Sequence, residues 1–305
     1  MTAPVAPAAQ LVTVDEDVHA YVQPDGGWCV NNAGILGGPD GAVLIDTAAT
    51  EARARRLHET VHTLVPGPVH TLVNTHSHGD HTFGNALFAD EATVIAHERA
   101  AAEIAEHGLA LQGLWPDVDW GRIEVTPPQV TFRERLVPRT RGPRYELLHL
   151  GPGHTAGDTV VWLPDRRVLF AGDLVFSGVT PFVLMGSVAG ALEILDRLRA
   201  LEPLHVVPGH GPVGGPELLD ANAGYLRRVQ ELARAGLAEG ATPAEVARAS
   251  GPGPYAGLLD SERLLPNLVR AYAELSGAGR AAPLDVPAVF GEMVHYAGGL
   301  PHCAA

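Results

Sequence analysis

Lysine is absent from this chain of 305 residues, so arginine supplies all 21 basic side chains against 35 acidic ones. The formal net charge at pH 7 is therefore −14. The chain is acidic and has no continuous basic run, and a nucleic-acid surface needs clustered positive charge. These absences argue against a protein that binds nucleic acid.

Cysteine is also scarce, because only Cys29 and Cys303 occur, which is too few for a disulfide framework. Two free thiols in a reducing compartment is the simpler account, although the sequence leaves their pairing open. The first ten residues lack a basic segment followed by an apolar stretch, and no run of about 18 apolar residues suggests a membrane span. We expect a cytoplasmic protein.

What the chain does have is apolar material, since 46% of its residues are hydrophobic. Residues 1–10, which are rich in proline and alanine, are expected to form a disordered lead. Residues 11–215 alternate strand-like runs with amphipathic helical segments, beginning with one strand over 11–22. From residue 216 onward the strand pattern stops, and four helical segments over 216–305 are expected to pack on the core.

The strongest signal follows the apolar strand 69–73, where His76, His78, Asp80 and His81 lie within six positions. All four can bind a metal through nitrogen or oxygen, and the intervening Gly79 predicts a tight bend that lets them converge. No thiolate is present, which suits zinc or a similar divalent ion held by imidazole and carboxylate. The alternative is a polar surface loop that happens to be rich in histidine.

Further candidate ligands recur after other apolar strands, and this recurrence decides against a chance cluster. Considered alone, a histidine at such a position is more often structural than a ligand. Glycine follows each strand, so these side chains are expected to meet the first four at one edge of a sheet. The additional candidates are His154, Asp173 after a strand over 168–170, and His210 after a strand over 205–207.

This order of residues resembles the metallo-β-lactamase superfamily, in which an HxHxDH motif is followed by His, Asp and His at successive strand ends. The resemblance covers roughly residues 11–215 and has the ligand set of glyoxalase II-like members. It implies an α/β fold, an αββα sandwich with a dinuclear zinc site at the sheet edge, here followed by a C-terminal helical extension. The implied ligands are His76, His78 and His154 for the first metal, Asp80, His81 and His210 for the second, and Asp173 bridging both. Asp46 matches an aspartate of the family that is structural or supports a ligand.

The resemblance implies a hydrolase with two zinc ions, although another divalent metal stays open. Two ions roughly 3.5–4 Å apart lower the pKa of a shared water and polarise a carbonyl, so a metal-bound hydroxide can attack it. Asp80 and Asp173 are the candidate catalytic residues. Asp80 must be ionised to bind metal, so it cannot also serve as a free general base while both ions are bound. The predicted substrate is a thioester, ester or lactone.

Four residues are candidates for the wall of a substrate pocket. Phe176, Phe182 and Met185 lie in an apolar segment that directly follows Asp173, and Trp28 follows a flexible Gly-Gly pair. Packing in the core is an equally good interpretation of these side chains. Two further tryptophans in the irregular segment 108–128 either close the pocket or cover the core; they are Trp115 and Trp120.

Residues 23–34, combined with the helical tail, are similar to a narrower group, the metallo-β-lactamase-like cyclases/thioesterases of actinorhodin-type aromatic polyketide pathways. This similarity implies aldol closure of the second ring of a tethered poly-β-ketone and its release from an acyl carrier protein, a step of antibiotic biosynthesis. The sequence leaves a general hydrolase and this cyclase both open. Either would take a small-molecule or carrier-bound acyl substrate, with no nucleic-acid or membrane partner, and an oligomer stays open.

Overall fold

Two β-sheets face each other in the computed structural model, which describes residues 8–305. The expected disordered lead falls mostly on residues 1–7, which lie outside the described residues, and the first strand begins at Gln10. Cys29 and Cys303 are free thiols, and Cys29 is buried. No helix within residues 8–305 is both long enough and apolar enough to cross a bilayer.

The first sheet has seven strands, whose spatial order follows the chain. They are β1 Gln10–Asp15, β2 Val18–Val22, β3 Ala33–Gly38, β4 Gly41–Ile45, β5 Val69–Val73, β6 Thr93–His97 and β7 Val130–Phe132. Pairing is antiparallel from β1 to β4 and parallel from β4 to β7. The carboxyl ends of β4, β5 and β6 therefore share one edge.

The second sheet has five strands in the order β12-β11-β10-β9-β8. They are β8 Arg135–Leu136, β9 Glu146–Leu148, β10 Val160–Leu163, β11 Val168–Phe176 and β12 His205–His210. Only β11 and β12 pair parallel among these strands, so their carboxyl ends also lie side by side.

Within residues 8–305, eight α-helices flank the sheets or connect their strands. They are α1 Glu51–Leu64, α2 Gly79–Thr82, α3 Glu98–His107, α4 Val188–Arg199, α5 Glu217–Glu239, α6 Pro243–Ser250, α7 Leu264–Leu275 and α8 Val286–Ala297, with short 3₁₀ turns at Asn85–Leu87, Ala110–Leu114, Gly253–Tyr255 and Ser261–Arg263.

Alternation of side chains along the strands produces the layers. In β3, Leu36 belongs to the apolar cluster between the sheets, whereas its neighbour Ile35 belongs to a cluster with Leu57 of α1. In β11, Phe170 points between the sheets and Leu169 joins the cluster formed with α4 and the C-terminal helices. The layers are thus helix, sheet, sheet and helix, which confirms the predicted fold class.

Three predicted strands differ from the observed ones. The single strand predicted over 11–22 is two strands, because the chain turns at Asp17, which has a left-handed φ of 56°. The strands predicted over 168–170 and 205–207 continue to residues 176 and 210, so Asp173 and His210 lie within strands rather than after them. Glycine and proline in these segments predict strand breaks, but here the ladder absorbs them through shifts in register between β11 and β12.

Candidate metal centre

All seven side chains predicted as ligands converge at the edge where the parallel strands of both sheets end. Their positions are His76 and His78 after β5, Asp80 and His81 on α2, His154 between β9 and β10, Asp173 in β11 and His210 at the end of β12. Gly79 does not act through a left-handed turn. A Cβ there would overlap the ring of Phe83, so close packing requires glycine.

The side chains form two groups, and within each group the potential ligand atoms lie within 4.8 Å of one another. One group is His76, His78, His154 and Asp173, and the other is Asp80, His81 and His210. In the first, His154 Nε2 lies 2.9 Å from His78 Nδ1. In the second, His210 Nε2 lies 3.3 Å from Asp80 Oδ2. Each group draws side chains from both sheets.

Asp173 lies between the two groups. Its Oδ2 is 3.4 Å from Nε2 of His154 in one group and 3.4 Å from Nε2 of His210 in the other. Its Oδ1 is 3.2 Å from His81 Nε2. A carboxylate in this position can bind two cations at once, one through each group.

The buried polar atoms of the cluster lack enough partners within the protein. His76 Nε2, His81 Nε2 and Asp173 Oδ1 are buried without a hydrogen bond. Such atoms are costly unless something satisfies them, and divalent cations, one in each group, would satisfy all three. The donor set is imidazole and carboxylate without thiolate, which fits zinc. The residues present therefore fit a pair of divalent ions, and binding by these seven ligands stays a prediction.

Protonation in the cluster follows from burial and from the carboxylates. Burial lowers the pKa of His78 to about 3, with a further lowering from the neighbouring His154. Burial also lowers the pKa of His210, but Asp173 and Asp80 outweigh this effect and raise it to about 9. The carboxylates thus attract positive charge to this edge, and metal ions would replace the protons that they otherwise hold on the imidazoles.

A narrow cavity of about 80 Å³ lies beside the cluster and contacts Asp80 and Asp173. Its wall is mostly apolar, and it includes all four predicted pocket residues: Trp28, Phe176, Phe182 and Met185. Trp115 also lines it, whereas Trp120 packs 6.0 Å from the Phe83 ring and is outside the described lining. A larger open depression of about 880 Å³, lined by residues such as Asp17 and Arg166, lies at the opposite edge of the sheets and contains none of the predicted ligands.

The sequence did not predict the contribution of the C-terminal helices to this cavity. Arg263 and Phe290 both line it. The Arg263 guanidinium stacks 4.0 Å from the centre of the Trp28 ring, and Phe290 lies 6.2 Å from the same ring. Trp28 Nε1 also donates a hydrogen bond of 2.7 Å to Glu262. Contacts between residues more than 200 positions apart leave no local signal in the sequence.

Comparison with known proteins assigns the family. Residues 26–210 match the family model of the metallo-β-lactamase superfamily. The chain belongs to the metallo-β-lactamase superfamily. This assignment confirms the predicted resemblance.

Relatives of this superfamily chain have several activities. The α subunit of 2,4-dinitroanisole O-demethylase from Nocardioides sp. (strain JS1661) is 33% identical over 57% of this chain, a match that spans only 50% of the subunit. A hydroxyacylglutathione hydrolase from Anaeromyxobacter dehalogenans (strain 2CP-C) is 31% identical over 69% of this chain and 71% of its own length. A solved metallo-β-lactamase from Pontibacter korlensis superposes with a TM-score of 0.61 at 25% identity, covering 72% of this chain and 99% of that one. Superfamily and relatives together indicate a hydrolase.

Hydrogen bonds fix the tautomers of three histidines in this cluster of candidate ligands. In each, Nδ1 faces an oxygen that can only accept, so Nδ1 carries a proton and Nε2 is the nitrogen that would bind a metal. The acceptors are Asp46 Oδ2 for His81 at 2.8 Å, the Phe182 carbonyl for His154, and the Gly26 carbonyl for His210 at 3.0 Å. His78 differs, because its Nδ1 faces the cluster.

Asp158 supports the loop that carries His154, a role that the sequence did not predict. Its carboxylate accepts hydrogen bonds from the backbone N–H groups of Gly153, His154 and Thr155 and from the Thr155 hydroxyl. Burial raises the pKa of Asp158 to about 7, against these hydrogen bonds, which lower it. The only available signal is local: a threonine after the histidine, with an aspartate three residues later, is typical of a side chain that caps a turn.

Asp46 supports one histidine of each ligand group through hydrogen bonds. Its buried carboxylate accepts from Thr75 N at 2.7 Å, from Thr75 Oγ1 at 2.6 Å and from His81 Nδ1 at 2.8 Å. Because Thr75 Oγ1 donates to Asp46, it accepts from His76 Nδ1, which lies 3.0 Å away. Asp46 therefore sets the orientation of His81 directly and of His76 through Thr75.

Asp46→Asn is expected to weaken binding of at least one metal ion about 10- to 100-fold while the fold is kept. Asparagine tolerates the left-handed φ of 59° at this position, but its amide presents a donor where the carboxylate accepts. Competition against a chromophoric chelator measures both zinc affinities. The matched control is Asp40→Asn in the exposed turn before β4. Unchanged affinities in Asp46→Asn would contradict the role given to this carboxylate.

Proposed function

We propose that this chain uses two zinc ions to hydrolyse a thioester, ester or lactone with a compact apolar acyl group. The observation that carries the proposal is the convergence of seven ligand-type side chains in which three buried polar atoms lack a protein partner. The hydroxyacylglutathione hydrolase relative supports thioester chemistry, because an acylglutathione is a thioester. When bound, two such ions supply an acidic water and an electrophile for the carbonyl.

The protein's own side chains bind the acyl group and exclude water. Phe176 and Phe182 lie directly beside His154, with ring centres 6.0 and 6.1 Å from the imidazole. Trp28 covers the cavity and is held by Arg263, whose Nη1 donates to the Thr180 carbonyl at 3.0 Å. A carbonyl carbon placed against the cluster would therefore have its apolar substituent among aromatic rings, away from bulk water.

The size of the cavity favours a compact acyl group. Drug-sized ligands occupy pockets of about 300–1,000 Å³. The cavity beside the cluster has about 80 Å³, which accommodates only a few heavy atoms. A larger substrate would require the wall formed by the 3₁₀ turn Ala110–Leu114 and helix α8 to move outward.

The aromatic wall favours one second candidate, the cyclase/thioesterase of an aromatic polyketide pathway. Five aromatic rings offer stacking surfaces for the planar rings of such a substrate: Trp28, Trp115, Phe176, Phe182 and Phe290. In this candidate the cluster would stabilise an enolate oxygen during ring closure, and an acyl carrier protein would deliver the thioester. We rank the cyclase second because a cavity of about 80 Å³ is small for a polyketide substrate.

Turnover of simple thioesters tests the first candidate. The zinc-loaded protein is expected to hydrolyse a short acyl thioester of N-acetylcysteamine, measured by release of the free thiol. Removal of zinc with a chelator should reduce the rate at least about 100-fold, and added zinc should restore it. A rate that survives metal removal, or no turnover of any short thioester, ester or lactone, contradicts the proposal. Ring closure of a poly-β-ketone thioester without hydrolysis of the short ones would favour the second candidate.

A further inference from the structure

A second cluster of metal-binding side chains lies on helix α1, outside the centre described above. His58 and His62 are one helical turn apart, and Glu91 reaches them from the turn before β6. One potential ligand atom from each residue lies within 4.8 Å of the other two. None of the three lines the cavity beside the metallo-β-lactamase centre.

The spacing of these atoms fits a tetrahedral ion. Zinc binds imidazole nitrogen and carboxylate oxygen at about 2.0–2.2 Å, so two ligand atoms at tetrahedral corners lie about 3.4 Å apart. Here His62 Nε2 is 3.0 Å and His58 Nε2 is 3.7 Å from the same oxygen, Oε1 of Glu91. Both distances are within a few tenths of an ångström of that tetrahedral spacing.

Neighbouring groups orient the side chains of this cluster in a way that suits a bound cation. Glu91 is oriented by its other oxygen, which accepts a hydrogen bond of 3.1 Å from Val69 N. The His58 ring rests 5.1 Å from the buried Phe88 ring and 4.4 Å from the His62 ring. Partial burial and the neighbouring His62 lower the pKa of His58, which leaves it neutral and able to bind metal at pH 7.

The cluster is also accessible to an ion from solution. The side chains of His58, His62 and Glu91 are 38%, 32% and 23% exposed, respectively. Three ligands on one side leave the fourth corner of a tetrahedron to water. This arrangement suits an exchangeable ion rather than one enclosed during folding.

We propose that His58, His62 and Glu91 form a separate binding site for a borderline divalent cation, Zn²⁺ in the first instance. The ion would join α1 to the turn that precedes β6 and, through Glu91, to the first residue of β5. The proposal does not depend on the proposed hydrolase function, because it involves none of that centre's ligands.

Zinc stoichiometry tests this site. The wild type, His62→Ala and Glu91→Gln are dialysed against the same buffered free zinc at pH 7.5, and bound zinc is measured by elemental analysis. The wild type is expected to bind one zinc more per chain than either variant. Glu91→Gln keeps an oxygen acceptor for Val69 N, so it guards against a loss caused by misfolding. Exposed His107→Ala on α3 and exposed Glu59→Gln on α1 are the matched controls and should bind as much zinc as the wild type.

The outcome depends on the difference in bound zinc between the wild type and the variants, and not on the total zinc bound per chain. If the seven candidate ligands did not bind two ions, the bound zinc would be lower by the same amount in all five proteins. The wild type would still bind one zinc more per chain than His62→Ala or Glu91→Gln. Equal zinc in the wild type, His62→Ala and Glu91→Gln would overturn the proposal and reduce the cluster to a hydrogen-bonded His–Glu pair. An equal loss in His107→Ala would also overturn it, because zinc would then be binding to surface histidines in general.

Discussion

Asp173→Ala is expected to lose bound zinc and hydrolytic activity together. The carboxylate contacts His154 in one group and His81 and His210 in the other, so its removal takes a ligand from both ions. Loss of metal forfeits several kcal/mol of transition-state stabilisation, so kcat/KM should fall at least about 10³-fold. Elemental analysis after gel filtration measures the metal, and thioester turnover measures the activity.

The fold is expected to survive this substitution. Without a metal, the Asp173 carboxylate pairs with the imidazoles of His81, His154 and His210. Its removal breaks these contacts, but the imidazoles can release their protons, so no unpaired charge has to stay buried. Circular dichroism should therefore match that of the metal-free wild type, and thermal unfolding should stay cooperative. Asp165→Ala in the exposed turn between β10 and β11 is the matched control and should retain both metal and activity. Two tightly bound zinc ions in Asp173→Ala would falsify the bridging role.

Truncation after Gly215 is expected to give an insoluble or molten protein without activity. The removed helices carry large buried side chains, among them Leu226, Leu268 and Phe290, that share one apolar cluster with β11 and α4. Exposing even five large side chains on the remaining core costs about 8–15 kcal/mol, at about 1.5–3 kcal/mol each. This matches the whole net stability of a typical domain, about 5–15 kcal/mol.

Polar side chains of the same helices make the loss worse. Asn222 pairs with both the N–H and the carbonyl of Phe176, at 3.0 and 2.8 Å. Asn267 donates to the Pro181 carbonyl at 2.7 Å and accepts from Val183 N at 2.9 Å. Truncation would leave these backbone groups of the cavity wall unpaired. The soluble fraction, near-UV circular dichroism and thioester turnover measure the effect, and unchanged solubility and kinetics would show that the helices are dispensable.

The convergence of the seven candidate ligands could be predicted because their residue types are chemically distinctive and four of them lie close together in the chain. His76 to His81 occupy one turn after one strand, and few other arrangements explain so many nitrogen and oxygen ligands together. The strand limits around Asp173 were predicted less well. A glycine at position 172 predicts a break in the strand, and the structure gives Gly172 a left-handed φ of 52°. The strand nevertheless continues past this residue because it pairs with β12.

The cavity was the least predictable part. Phe176, Phe182, Met185 and Trp28 were equally consistent with core packing, and the structure shows that they line the cavity while the three aromatic ones are also largely buried. Arg263 reaches the same cavity from a helix that is separated from Trp28 by most of the chain. Tertiary packing decides such contacts, and no periodicity in the sequence records them.

Each group of ligands draws on both sheets, so bound metal would affect how readily the two sheets separate in local opening. Metal in either group would be a non-covalent cross-link through the sandwich, so separating the sheets would require releasing the ion first. Binding of a ligand only to the closed state stabilises it by about 2.7 kcal/mol at a concentration 100 times the dissociation constant. Slow amide hydrogen exchange in the central strands would then follow the free zinc concentration, and a cell that withholds zinc would leave this protein open to proteases as well as inactive.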